Sequence, residues 1–76
     1  MHPGGGVHTV PARNKDGWWW NEMDGKVVSR HRHKDTAVEA GREIARKLRV
    51  EHSIHRGDGE ISEKNSYGND PRSVKG

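Results

Sequence analysis

Residues 17–26 read GWWWNEMDGK and hold all three tryptophans of a chain of 76 residues that has no Phe and no Cys. The segment includes Asp24-Gly25, a dipeptide that favours a two-residue type I′ turn, because both central positions of that turn need a positive φ angle. Runs rich in β-branched and aromatic residues, 18–23 and 26–32, flank the dipeptide. The segment therefore predicts a β-hairpin, and the other elements are placed around it.

One strand is predicted before the hairpin, and a helix and two strands are predicted after it. Residues 7–13 (VHTVPAR) form the first strand, and NKDG at 14–17 is a turn. Residues 35–50 predict a helix whose apolar stripe has the helical period and consists of Ala37, Ala40, Gly41, Ile44, Ala45 and Leu48. Thr36 and Glu39 match a capping box at the start of this helix.

The last two strands, 50–55 and 60–64, flank a GDG turn at 57–59, and we expect Ile54 and Ile61 on one face. The order β-β-β-α-β-β predicts an α+β domain, with one helix packed on one face of a small antiparallel sheet. We divide the chain into a disordered lead (1–6), a single domain (7–68) and a flexible polar tail (69–76).

Alternation along the hairpin divides the three tryptophans between two faces. With a two-residue turn, Trp20 lies opposite Ser29, Trp19 opposite Arg30, and Trp18 opposite His31. Trp18 and Trp20 are then the candidate core residues. Trp19 is left on the outer face, where a cation–π contact with Arg30 is expected.

The positive charge of the chain is concentrated beside the tryptophans. The net charge is +3, and residues 26–34 contain four cations and no acid. Cations neutralise phosphates and an aromatic ring stacks on a base, so this pattern favours weak nucleic-acid binding. The candidate nucleic-acid-binding residues are Trp19, Lys26, Arg30, Arg32 and Lys34.

Two other interpretations of the same surface stay open. The Trp19 face could instead bind another protein or a second copy of the chain, burying Met23 and Val28 as well. Alternatively, the charges only protect an edge strand from aggregation. Titration of binding against salt separates these interpretations, because only the nucleic-acid hypothesis predicts a steep salt dependence.

Several function classes are not favoured by the composition. Without Cys there is no disulfide and no thiolate ligand, and the histidines, among them His31, His33, His52 and His55, are expected to be structural or at the surface rather than metal ligands. No nucleophile motif surrounds the serines, so we expect no enzyme, no cofactor and no small-molecule substrate. No apolar run approaches ~18 residues and no signal peptide is recognisable, which predicts a cytoplasmic protein that does not span a membrane.

Four motifs resemble those of a family of short bacterial proteins classed as a domain of unknown function. VHTVP matches its H-x-V-P start, GW its G-W-x-V strand, IHRGDGEI its V-H-x-x-D-G-x-I hairpin, and NSYGNDP its S-Y-G-x-D-P ending. The chain departs from that pattern in its triple tryptophan, in Gly41 and at His52-Ser53. The resemblance implies a compact α+β fold and a bacterial or bacteriophage origin, and it implies no established activity.

Overall fold

The structure, a computed structural model, describes residues 6–68, so the predictions for 1–5 and 69–76 lie outside the described residues. Gly6 is already buried against the backbone of Glu51, one residue before the predicted start of the domain. The predicted order of elements is confirmed, with bounds β1 Val7–Pro11, β2 Trp19–Met23, β3 Lys26–His31, α1 Lys34–Leu48, β4 Glu51–His55 and β5 Ile61–Ser66.

The five strands form one sheet in the order β3-β2-β1-β4-β5, and α1 packs on one of its faces. The α+β class is confirmed, but the sheet is mixed, because β1 and β4 are parallel while the other three pairings are antiparallel. Two hairpin reversals make β3 run in the same direction as β1. The helix then carries the chain back along the sheet, so β4 begins at the same end as β1 and must run parallel to it.

The β2–β3 turn has the backbone that the sequence predicts. Asp24 and Gly25 have φ angles of 53° and 79°, both in the left-handed region. Met23 lies opposite Lys26, as expected for a two-residue connection. The hairpin that organises the sheet is therefore encoded locally by the Asp-Gly dipeptide.

Beyond the turn, the predicted register is wrong. The pairing shifts between Glu22 and Asn21, so that Val28 is an extra residue on β3. Trp20 consequently lies opposite Arg30, where we expected Ser29. A bulge of this kind adds one residue to one strand and displaces every later pair, and the expected pairing of Trp19 with Arg30 is lost with it.

The helix packs through its small residues. Ala37, Gly41 and Ala45 are buried, which confirms the centre of the predicted stripe, whereas Leu48 is 52% exposed at the last residue of the helix. The predicted capping box is wrong: the helix begins at Lys34, so Thr36 already lies within the first turn. Small side chains let the helix axis approach the sheet closely.

The centre of the sheet surface beneath this helix is polar. Asn21 Nδ2 donates to Ala37 O (2.9 Å) and to Ser29 Oγ (3.1 Å), which directs Asn21 Oδ1 towards Thr9. Thr9 Oγ1 therefore donates its single proton to Asn21 Oδ1 (2.6 Å) and accepts from His52 Nε2 (2.8 Å). These bonds define a buried polar network of Thr9, Asn21 and His52, and they require the Nε2–H tautomer of His52.

The β4–β5 hairpin contains a second irregularity. Ile54 is 6% exposed on the helix side and lies opposite Glu63, but His55 pairs with Ile61, so that Ser62 is skipped. Ile61 is 49% exposed and lies on the other face. The expectation that both isoleucines share one face is therefore wrong, because the bulge reverses the alternation after Ile54.

Candidate functional site

The sheet face opposite the helix carries Trp18 and Trp20. Trp18 immediately precedes β2, and the Ala12 N–H donates to Trp18 O (2.9 Å), which extends the β1–β2 ladder to this position. Trp18 is 38% exposed and Trp20 is half-buried. Alternation separates these two side chains from Trp19, as the sequence predicts, but the helix covers the Trp19 face.

The reason for this reversal is the shape of the helix surface. Asn21 shares a face with Trp19 and bonds to Ala37 O of the helix. A helix that presents Ala37 and Gly41 lies close to the sheet, which leaves room for Thr or Asn side chains but not for two indoles. Hydrophobicity alone therefore predicts the wrong core face in this small domain.

Each tryptophan of the helix-free face lies beside an arginine. The guanidinium carbon of Arg30 is 5.3 Å from the Trp20 ring centroid, and that of Arg32 is 5.8 Å from the Trp18 ring centroid. Both arginines are exposed, and within residues 6–68 no carboxylate lies within 4.0 Å of either. We refer to Trp18, Trp20, Arg30 and Arg32 as the Trp–Arg face.

The structure divides the five predicted binding residues among three places. Arg30 and Arg32 belong to the Trp–Arg face. Trp19 is half-buried on the helix side, with Lys34 Nζ 5.0 Å from its ring centroid. Lys26 is exposed at the hairpin turn. Trp18 and Trp20, which the sequence pattern assigned to the core, replace Trp19 as the aromatic partners of the arginines.

A partly buried ion pair lies on the same face. Arg13 donates from Nη2 to Glu22 Oε1 (2.7 Å) and from Nε to Glu22 Oε2 (3.1 Å). The Glu22 side chain is 10% exposed, whereas that of Arg13 is 68% exposed. The two-point contact satisfies a carboxylate that has little water around it, so Arg13 is already engaged and differs from the two arginines of the Trp–Arg face.

His8 and His55 form a pair further along this face. His55 Nδ1 lies 2.8 Å from Gly59 O, and since a carbonyl only accepts, that nitrogen carries the proton. In the neutral pair, His55 Nε2 then accepts from His8 Nδ1 at 3.1 Å. Burial, reinforced by the nearby His55, lowers the pKa of His8, so His8 is predominantly neutral near pH ~7.

A groove of about 520 Å³ lies at the end of the sheet next to the Trp–Arg face. Its walls are the β1–β2 loop, the start of β2 and the β4–β5 turn, which contribute Lys15, both Trp18 and Trp19, and Gly57 to Gly59. Lys15 is exposed, and within the described segment it has no carboxylate within 4.0 Å. We call this feature the end groove; its traces in the sequence were the NKDG and GDG turn signals.

Two kinds of feature are absent from the described part of the chain. Among residues 6–68, no group of three or more His, Asp or Glu side chains is arranged to hold a metal ion. In the same range, no helix is long and apolar enough to cross a membrane. His52 belongs to the buried polar network. His31 Nε2 lies 3.0 Å from Ser29 Oγ.

Comparison with known proteins gives a family and no activity. No curated protein and no solved structure matches the chain significantly. A family model described as "Uncharacterized protein conserved in bacteria (DUF2188)" matches residues 7–67, which are nearly all of the described residues. The chain therefore belongs to this family of uncharacterised bacterial proteins.

Proposed function

We propose that this domain is a non-enzymatic module that binds nucleic acid weakly through the Trp–Arg face. The observation that carries the proposal is the placement of two tryptophans on the helix-free face, each within 6 Å of an exposed arginine. Indole rings stack on bases, and guanidinium groups bind phosphates. Both kinds of contact are available here on one surface.

The charge distribution supports this choice of partner. Arg30 and Arg32 have no carboxylate within 4.0 Å in the described range, so contact with a phosphate breaks no ion pair. A surface that only protected an edge strand would need the charges but not the exposed indole of Trp18. With two phosphate contacts, the log–log slope of affinity against salt is about −1.4 on a single strand and about −1.8 on duplex.

Self-association is the alternative for the same surface. The interface expected from the sequence, through Trp19, Met23 and Val28, is disfavoured because Trp19 and Met23 are half-buried on the helix side. A dimer through the Trp–Arg face would have to place four exposed arginines in one interface, which like-charge repulsion opposes. Nucleic acid neutralises the same charges, and this favours it over a second copy.

The test combines binding with molar mass. Fluorescein-labelled single-stranded and duplex oligonucleotides are titrated with the protein at low and moderate salt, and anisotropy is recorded. Static light scattering on the free protein gives its mass. We expect a monomer that binds at low salt and loses affinity in Arg30→Ala. A matched control, Lys47→Ala, removes one exposed charge from the helix and should leave affinity unchanged. Absence of binding at low salt would overturn the proposal, and a dimer mass would then favour self-association.

A further inference from the structure

We propose that the ligand of the Trp–Arg face is single-stranded rather than duplex nucleic acid, and that one unpaired nucleotide enters the end groove. This inference rests on the proposed function and assigns it a substrate class. It follows from three observations: the spacing of the two tryptophans, the position of the groove next to them, and the open space beside two of the groove's glycines.

The spacing of the tryptophans does not fit stacked bases. Trp18 and Trp20 are two residues apart on one strand, which places their Cα atoms about 6.6 Å apart. Neighbouring bases in one strand of a duplex are separated by about 3.4 Å. Indoles carried by backbone positions at twice that interval can each stack on a separate base only where the bases are unstacked, as in an extended single strand.

A duplex also hides the surface that an indole needs. The faces of paired bases are covered by their neighbours, and only their edges are exposed in the grooves. The Trp–Arg face offers aromatic rings and guanidinium groups, whereas the amide of Asn21 is buried beneath the helix and already hydrogen-bonded. Stacking and phosphate contact without base-edge hydrogen bonds are characteristic of binding to single strands with little sequence preference.

The end groove continues the Trp–Arg face. Trp18 belongs to both, so a strand that stacks on Trp20 and then on Trp18 arrives at the groove entrance. Its volume of about 520 Å³ is in the range of small-molecule sites, which is large enough for a nucleotide. Lys15 supplies a positive charge at this wall, within reach of the phosphate that would follow Trp18.

The β4–β5 turn leaves its side of the groove open. A Cβ placed on Gly57 or Gly59 would meet no heavy atom within 4 Å. Gly57 does not have a positive φ angle, so a larger residue can be placed there without backbone strain. Asp58 also lines the groove, but its carboxylate is held by the Arg56 guanidinium (3.2 Å) and by the Glu60 N–H (3.0 Å).

The experiment compares a labelled single strand of about eight nucleotides with a hairpin duplex of the same sequence, at one low salt concentration. We expect the single strand to bind at least about tenfold more tightly, with quenching of Trp fluorescence on binding. Trp18→Ala should lower single-strand affinity by about 5- to 150-fold, the usual range for one stacked base. Circular dichroism and the unfolding midpoint of each variant establish that it is folded.

Two variants test the groove separately from the face. Gly57→Leu fills the open side, and its matched control, Gly57→Ala, adds one methyl group to the same backbone. Lys15→Ala removes the groove charge, with Lys47→Ala as the charge control. We expect Gly57→Leu and Lys15→Ala to weaken single-strand binding at least about threefold and both controls to bind as the parent protein does.

Each outcome decides one element of the inference. Equal affinity for single strand and duplex overturns the single-strand assignment and leaves the proposed function in place. Tight single-strand binding that neither Gly57→Leu nor Lys15→Ala affects overturns the groove. Absence of binding to both probes at low salt overturns the proposed function itself, and this inference with it.

Discussion

Gly41→Ala should destabilise the domain, although alanine is the better helix former. Gly41 lies in the middle of α1 above the buried polar network. A Cβ at this position would lie 2.5 Å from Asn21 Oδ1, 2.7 Å from His52 Nε2 and 2.8 Å from Thr9 Oγ1. These are three buried side chains on three different strands, joined by hydrogen bonds, so none can move aside without breaking a bond of the network.

Opposing free energies determine the size of the effect. Replacing a helical glycine by alanine gains up to about 1 kcal/mol of helix propensity. Inserting a methyl group into a packed core costs about 1–3 kcal/mol, and a buried polar group that loses its partner costs a further 1–3 kcal/mol or so. We expect a net loss of about 1–5 kcal/mol in the free energy of unfolding. For a domain of this size, each kcal/mol lowers the melting temperature by about 4–8 °C.

Urea unfolding followed by Trp fluorescence and far-UV circular dichroism measures this difference. Gly57→Ala is the matched control, because a Cβ there meets nothing within 4 Å and its φ angle is not positive. We expect the control to be neutral or slightly stabilising. In an Asn21→Ala background, Gly41→Ala should cost less than in the parent, because the nearest contact of the new methyl group has been removed.

A Gly41→Ala variant that is as stable as the parent protein, or more stable, would show that the proposed clash does not occur. That result would mean that the helix can lift from the sheet by a few tenths of an ångström at little cost. Equal costs in the parent and Asn21→Ala backgrounds would also contradict the proposed clash, since it would then not involve the polar network.

Three further predictions concern charge. The pKa values of His8 and His52 are lowered from 6.5, chiefly by burial. Because the unfolded chain then binds more protons than the folded protein, the free energy of unfolding should fall as the pH drops below about 6.5. A urea midpoint that is unchanged between about pH 7.5 and pH 5.5 would contradict this prediction. Arg13→Ala leaves the Glu22 carboxylate, 10% exposed, without its partner and should cost about 1–3 kcal/mol in urea unfolding. Arg46→Ala breaks only the exposed pair with Glu43 and should cost no more than about 0.5 kcal/mol. Each arginine removed from the Trp–Arg face should reduce the salt slope of single-strand binding by about 0.7, and an unchanged slope in anisotropy titrations would show that the arginine does not contact a phosphate.

Much of the fold could be predicted because its signals are local. The Asp24-Gly25 turn depends on two φ angles, and the buried positions of the helix follow from its period. The direction of β4 could have been derived from the order of the elements, but the order of strands in the sheet could not. The two bulges have no local signature in this sequence, and each of them displaced the residue pairs that follow it.

The candidate site was predicted in part for the same reason. The basic segment identified Arg30 and Arg32, which are exposed residues on the helix-free face. The predicted cation–π partner of Arg30, Trp19, was wrong, because the sequence pattern does not say which face of the sheet the helix covers. The end groove could not be predicted, since the β1–β2 loop and the β4–β5 turn become neighbours only when β1 and β4 pair.

Strand alternation is enough to divide the tryptophans between two faces, because alternate side chains of any strand point in opposite directions. Which of the two faces became the core depends on how the helix packs against the sheet. The helix presents Ala37, Gly41 and Ala45, and its close approach leaves room for the side chains of Thr9 and Asn21 but not for a pair of indoles. Trp18 and Trp20 therefore lie on the helix-free face beside two arginines, where they are available to a ligand.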